Sequence, residues 1–212
     1  MHAIRNIIFD LGGVVLDINY NLTRNAFLKL GFVDFETVYS QLKQELIFDL
    51  FETGNISASD FRDVLRNYAE KKFKDSEIDA AWNAMIIGLP EERVTLLKKL
   101  KTSHRLFLLS NTNEIHEREF LRSITSAFGK NILPDLFEKI YYSHHVGIRK
   151  PQPEIFKRIL EENAIVAEET LFIDDSLQHV EGALRTGLKG ILLDHTKTAL
   201  EKLLAEIPLA RH

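Results

Sequence analysis

The stretch Ile4–Val14, with the sequence IRNIIFDLGGV, joins an apolar run to an acidic residue and two glycines. Ile4–Phe9 is short, apolar and rich in β-branched residues, which predicts a buried β-strand. Asp10 follows directly, and Gly12-Gly13 allows the next loop to approach a ligand closely, because neither residue has a side chain. The stretch therefore predicts a strand that delivers a carboxylate to a ligand site.

Further runs of the same kind recur along the chain. The predicted strands are Arg105–Leu109, Thr170–Ile173, Lys189–Leu193 and, more weakly, Ile140–Ser143. Segments with helical periodicity separate them, and the predicted helices are Glu114–Ser126, Pro153–Glu162, Leu177–Thr186 and Ala199–Ile207. Strands that alternate with helices predict an α/β fold with a doubly wound parallel sheet.

The segment from about Ile18 to Gly88 breaks this alternation, because its patterns are amphipathic and helical. The predicted helices there are Asn25–Leu30, Val38–Phe51, Phe61–Lys72 and Ile78–Met85. We therefore predict a core domain formed by residues 1–17 and 89–212, and a small helical cap inserted at 18–88. Glu52-Thr53-Gly54-Asn55 is predicted as a loop of this cap above the ligand site.

The polar residues at the carboxyl ends of the predicted core strands should meet in space, because ligands of open α/β sheets bind at that edge. These residues are Asp10, Ser110-Asn111, Lys150 and Asp174-Asp175. Phosphoryl transfer needs such a set: a carboxylate to attack, carboxylates to hold a cation, and donors that neutralise phosphate oxygens. Oxygen ligands beside a phosphate are the usual environment of Mg²⁺.

Four segments in chain order resemble the four motifs of the haloacid dehalogenase (HAD) superfamily. They are Ile7–Val14, Leu109–Asn113, Gly147–Pro151 and Phe172–Asp175, and the resemblance extends from about Ile4 to Leu193. It implies a Rossmann-like core with a helical cap, and a magnesium-dependent phosphatase that forms an aspartyl-phosphate.

The resemblance also implies a role for each matching position. Asp10 is the implied nucleophile and a metal ligand, while Lys150 balances its charge against that of the phosphate. Ser110 binds the phosphoryl group, helped by Asn111 and by backbone amides of the loop at Gly13. The remaining metal positions are the Gly12 carbonyl oxygen, Asp175 as a direct ligand and Asp174 as support for the water shell of the metal.

The chain departs from the family pattern at Gly12, where phosphatases of the superfamily usually carry a second aspartate that transfers protons. General acid–base catalysis contributes about 10²–10⁴-fold to a rate, so its loss favours substrates with good leaving groups, such as sugar 1-phosphates. The motifs are also similar to a branch that includes bacterial glucose-1-phosphate phosphatases. Asp17, near the entry to the cap, is a candidate substrate contact and substitute proton carrier, or else a structural loop residue.

The sequence also leaves two other functions open. The chain could bind a phosphorylated metabolite without turning it over, or it could be a phosphonatase or dehalogenase. A phosphonatase needs a cap lysine, for which the candidates are Lys43, Lys71, Lys72 and Lys74. A dehalogenase has no use for the paired carboxylates Asp174 and Asp175.

The composition narrows the function further. The net charge is −4 and the 27 basic residues are scattered, which argues against a nucleic-acid partner. No apolar run approaches the roughly 20 residues that cross a bilayer. The chain has no cysteine, which excludes disulfides and thiolate metal sites and is compatible with the cytoplasm. We therefore expect a cytoplasmic enzyme that acts on small phosphorylated molecules, with no membrane partner.

Overall fold

The structure is a computed structural model that describes residues 3–32, 37, 39, 46–69, 72–194, 200 and 204. The strands of these residues are β1 (Asn6–Phe9), β2 (Asp17–Ile18), β3 (Ile86–Gly88), β4 (Arg105–Ser110), β5 (Lys139–Tyr142), β6 (Thr170–Asp174) and β7 (Lys189–Leu192). The larger sheet has five strands in the order β5-β4-β1-β6-β7. All four of its strand pairs are parallel, and its order reverses between β1 and β6, as the doubly wound prediction requires.

Helices cover both faces of this sheet. In chain order, the helices of the described residues are α1 (Tyr20–Leu30), α2 (Ile47–Glu52), α3 (Ala58–Asn67), α4 (Asp75–Asn83), α5 (Glu91–Lys101), α6 (Glu114–Phe128), α7 (Leu133–Leu136), α8 (Ser143–Val146), α9 (Pro153–Glu162) and α10 (Leu177–Leu184), with a 3₁₀ turn at Ala167–Glu169. Successive side chains of a strand point to opposite faces. Accordingly, Ile7 and Phe9 pack in one apolar cluster with α5 and α6, and Ile8 packs in another with α9.

The segment between β2 and β3 has an apolar cluster of its own. Phe27, Phe51, Phe61 and Trp82 are buried there together, and Ile115 of α6 packs against them. Ser57 and Asp60 form a capping box that starts α3. The division into a core of 1–17 and 89–212 and a cap of 18–88 stays a prediction, with β2 and β3 at the boundaries of the cap.

Several element predictions need correction. The segment 18–88 is not wholly helical, because β2 and β3 pair antiparallel; such short strands have no periodicity to detect. Val38–Phe51 is not one helix, since Leu46 has φ 58, a left-handed conformation that cannot continue a right-handed helix, and α2 begins at the next residue. Helix α3 ends at Asn67 rather than Lys72.

Two more differences concern the edges of the core. Helix α5 was not among the predicted helices, and Ser143 begins α8 instead of ending β5. In the predicted helix Ala199–Ile207, Leu200 and Leu204 are buried in the core, and the other positions lie outside the described residues. No helix among the described residues is long and apolar enough to span a membrane.

Candidate active site

A buried lysine lies between two carboxylates at the carboxyl edge of the sheet. Lys150, in the loop after α8, places its Nζ 2.6 Å from Asp10 Oδ1 and 2.7 Å from Asp174 Oδ2. Asp10 directly follows β1, and Asp174 is the last residue of β6. Lys150 and Asp174 are fully buried and Asp10 is 7% exposed. A buried ammonium needs such partners, because an unpaired charge is costly away from water.

The three charges shift one another's pKa values. Burial raises the pKa of Asp10 to about 7, although the Lys150 ammonium opposes this rise. Burial also disfavours the charged form of Asp174, but Lys150 and a hydrogen bond with His179 outweigh it and hold the pKa of Asp174 below its usual range. One carboxylate is thus firmly ionised and the other binds a proton easily. A cation beside Asp10 would favour its ionised form.

Asp174 is held by more partners than the sequence indicated. Its Oδ1 accepts hydrogen bonds from the Ser176 backbone N–H at 2.8 Å and from His179 Nδ1 at 3.1 Å. No motif of the sequence distinguishes His179 from other helix residues. Because both oxygens of Asp174 are engaged, this side chain is oriented rigidly towards Lys150.

The loops that carry Ser110 and Lys150 are tied together by Asn111. Its side-chain amide donates to the Lys150 carbonyl and accepts from the Lys150 N–H, both at 2.9 Å. Ser143, which the sequence did not single out, bonds both the N–H and the carbonyl of Thr112 at 3.0 and 3.1 Å. Ser110 lines the cavity described below. These bonds hold the loop after β4 against the loop that carries the lysine.

The glycine loop after β1 packs against Asp175. Gly13 has a left-handed φ of 78°, and any Cβ at this position would overlap the Asp175 carboxylate. Gly12 bridges to Leu16, which turns the loop back beside the strand. Asp10, Asp174 and Asp175 each offer a carboxylate oxygen, and these oxygens lie within 4.8 Å of one another. This set of hard oxygen donors suits Mg²⁺.

A cavity of about 590 Å³ opens above these groups. Its floor includes Asp10, Gly12, Ser110, Asn111, Lys150 and Asp175, and its walls include Tyr20, Phe48, Asp49, Glu52, Trp82 and His116. The proposed contact Asp17 is not among the lining residues. Its side chain is 47% exposed and lies 3.5 Å from Arg93.

Arg149 links the loop that carries Lys150 to α2. Its guanidinium forms ion pairs with Asp49 and, at 3.0 Å, with Glu52. The Arg149 side chain is only 20% exposed. Gly54 lies against the backbone of His144, where a Cβ would come within 2.5 Å of the carbonyl oxygen. The loop that follows α2 therefore packs directly on the core.

The sheet order and the acidic cluster at its carboxyl edge define a Rossmann-like hydrolase site. A family model described as haloacid dehalogenase-like hydrolase matches residues 4–187, and the chain belongs to this family of hydrolases. The resemblance noted in the four motifs is therefore confirmed.

Relatives with assigned activities are similar over most of the chain. A D-ribitol-5-phosphate phosphatase of Bacteroides thetaiotaomicron is 33% identical over 84% of this chain and 85% of its own. A glyceraldehyde 3-phosphate phosphatase of Pyrococcus abyssi is 28% identical over 92% of this chain and 83% of its own.

A solved structure of a HAD family enzyme from B. thetaiotaomicron superposes with a TM-score of 0.87 at 33% identity, over 96% of this chain and 99% of that one. Another structure of that enzyme, in complex with magnesium and inorganic phosphate, gives a TM-score of 0.84 at 34% identity over 94% and 98% of the two chains.

Proposed function

We propose that this chain is a magnesium-dependent phosphatase that hydrolyses phosphate monoesters of small metabolites through an aspartyl-phosphate at Asp10. The observation that carries the proposal is the Lys150 ammonium between Asp10 and Asp174, beside Asp175 and at the floor of one cavity. The phosphatase activity of the relatives, and the magnesium and phosphate in the solved structure of a relative, support it.

The hydrogen bonds of Asp10 indicate which oxygen attacks. Oδ1 accepts from Lys150 Nζ at 2.6 Å and from the Leu11 N–H at 2.7 Å, so Oδ2 is the oxygen left for phosphorus. Oδ2 forms a bond to phosphorus as the bond to the leaving oxygen breaks. Water then attacks phosphorus, and the bond between phosphorus and Asp10 Oδ2 breaks. This step regenerates the Asp10 carboxylate and releases inorganic phosphate. Ser110 and Lys150 bind the phosphoryl oxygens during both steps.

Three groups at the floor of the cavity would hold the magnesium ion: Asp10, Asp175 and the carbonyl oxygen of Gly12. When bound, magnesium would neutralise phosphoryl oxygens as charge develops on them. Asp174 supports this site by keeping Lys150 in place. The left-handed Gly13 keeps the backbone clear of the Asp175 carboxylate.

The substrate class is a small phosphorylated sugar or sugar alcohol. The cavity has room for a compact molecule, and relatives act on D-ribitol 5-phosphate and glyceraldehyde 3-phosphate. Sugar 1-phosphates remain a candidate because Gly12 carries no carboxyl group. The phosphonatase alternative gains no support from Lys72 and Lys74, which are exposed and absent from the cavity lining; Lys43 and Lys71 lie outside the described residues.

An aryl phosphate assay with and without Mg²⁺ tests the proposal. We expect wild-type protein to release the phenol only with Mg²⁺, and Asp10→Asn to lose this activity because an amide cannot attack phosphorus. Asp17→Asn is the matched control, since Asp17 does not line the cavity, and it should retain activity. Tight binding of a phosphate analogue with no turnover would instead indicate a metabolite-binding protein.

A further inference from the structure

This chain lacks the second aspartate that usually transfers protons in phosphatases of the superfamily. Position 12 is a glycine, and added bulk there would press on Ile18. A proton donor for the leaving oxygen must therefore come from another element. Outside the acidic cluster at the floor, the carboxylates that line the cavity among the described residues are Asp49 and Glu52, both on α2.

These two carboxylates differ in their surroundings. The Asp49 side chain is 51% exposed and pairs with Arg149. The Glu52 side chain is 23% exposed, and its Oε2 lies 3.0 Å from Arg149 Nη2. Despite this distance, no N–H among the described residues points at Oε2, which is shielded from solvent. Glu52 therefore has a shielded oxygen, Oε2, that accepts no hydrogen bond from the described residues, whereas the Asp49 side chain is half exposed.

We propose that Glu52 is the general acid and base of the reaction, in place of the carboxyl group absent at position 12. The inference rests on the phosphatase function proposed above. As Asp10 Oδ2 bonds to phosphorus, the Glu52 carboxyl proton passes to the leaving oxygen, which departs as an alcohol. Water then bonds to phosphorus, its proton returns to the Glu52 carboxylate, and the bond between phosphorus and Asp10 breaks.

The surroundings of Glu52 are compatible with both proton donation to the leaving oxygen and proton uptake from water. Burial raises the pKa of Glu52 to about 7, opposed by Lys150 and reinforced by Asp10. A group with a pKa near the working pH can give and take a proton efficiently. Glu52 lines the same cavity as Lys150 and Asp10. Arg149 and Asp49 are the other charged groups beside it.

This assignment changes the expected substrate preference. With a proton donor in the cavity, phosphates of poor leaving groups such as primary alcohols become good substrates. The 5-phosphate of D-ribitol, on which a relative acts, is an ester of this kind. The absence of a carboxyl group at position 12 then no longer favours sugar 1-phosphates.

The dependence of kcat/KM on the leaving group tests the proposal. The substrates are aryl phosphates with acidic phenols, phenyl phosphate and the phosphates of primary alcohols, all at saturating Mg²⁺. For Glu52→Gln we expect a loss of about 10²–10⁴-fold on alkyl phosphates, but less than about tenfold on p-nitrophenyl phosphate, whose leaving group needs no proton. Asp49→Asn is the matched control, because it also weakens a pairing with Arg149. In this variant, as in the wild type, kcat/KM should depend only weakly on the leaving group.

Two results would overturn the inference. An equal loss on every substrate, for Glu52→Gln and Asp49→Asn alike, would mean that α2 only holds the insertion against Arg149. Unchanged kinetics of Glu52→Gln would mean that Glu52 takes no part. Far-UV circular dichroism and phosphate binding establish that each variant is folded. A wild-type protein that hydrolyses none of these esters would contradict the phosphatase function itself. That result is distinct from the two that concern Glu52.

Discussion

Replacing Lys150 by methionine isolates the charge arrangement at the centre of the site. The change keeps an unbranched apolar side chain but removes the ammonium that lies 2.6 Å from Asp10 and 2.7 Å from Asp174. Removing one member of a buried ion pair costs about 3–5 kcal/mol, because the remaining charge is left buried and uncompensated. Here two carboxylates lose the same partner and also repel each other, so we expect a loss near the upper end of this range at pH 8.

The pH dependence of this loss follows from Asp10. Its pKa in the folded protein is already raised to about 7, and without the ammonium it should rise further. A carboxyl group whose pKa is higher in the folded than in the unfolded state stabilises the fold when protonated, and this stabilisation disappears as the pH rises through the folded-state pKa. The loss for Lys150→Met should therefore be smaller at pH 5 than at pH 8.

Urea unfolding at both pH values, in the presence of EDTA, measures these differences. The double variant Lys150→Met/Asp10→Asn is the control, since it removes one of the two repelling charges and should recover much of the stability at pH 8. A loss below about 1 kcal/mol at pH 8, far less than a broken buried pair costs, would contradict this expectation. So would an equal loss at both pH values.

Two further predictions concern the glycine loop and a cavity histidine. Gly13→Ala should weaken Mg²⁺ binding more than tenfold in calorimetry, because the added methyl group would displace Asp175. Gly129 has a similar φ of 75° but no atom within 4 Å of an added Cβ, so Gly129→Ala should lose stability without losing Mg²⁺ affinity. Equal Mg²⁺ affinities of the two variants would contradict this prediction. Burial lowers the pKa of His116 to about 3, so the wild type should lose about 1–2 kcal/mol more stability than His116→Gln between pH 7 and pH 5, as the unfolded histidine takes up a proton. Parallel loss in both proteins, measured by urea unfolding, would show that His116 does not contribute.

The strand ends could be predicted because topology alone brings them together. Asp10, Lys150 and Asp174 are far apart in sequence, yet a doubly wound sheet directs the loops after its strands to one edge. The buried strands were equally accessible, since β1, β4 and β6 are continuous apolar runs bounded by polar residues. The order of the four motifs along the chain also indicated which reaction this site catalyses, namely phosphate ester hydrolysis.

The remaining features depend on contacts that no local pattern encodes. His179 and Ser143 act through hydrogen bonds to single partners, and neither stands in a periodic or motif position. Glu52 could be assigned to a loop above the site, but its burial depends on how α2 packs against Arg149. The left-handed Leu46, which divides a predicted helix, could not be predicted because leucine does not favour this conformation.

In the proposed reaction, the phosphoryl group passes to the Asp10 carboxylate before water attacks it. The stereochemical course at phosphorus, followed with an aryl phosphorothioate made chiral by oxygen isotopes, distinguishes this course from direct attack by water. Each in-line displacement inverts phosphorus, so two successive displacements through Asp10 predict net retention of configuration. Net inversion would mean that water attacks the substrate in one step, and it would contradict a covalent intermediate.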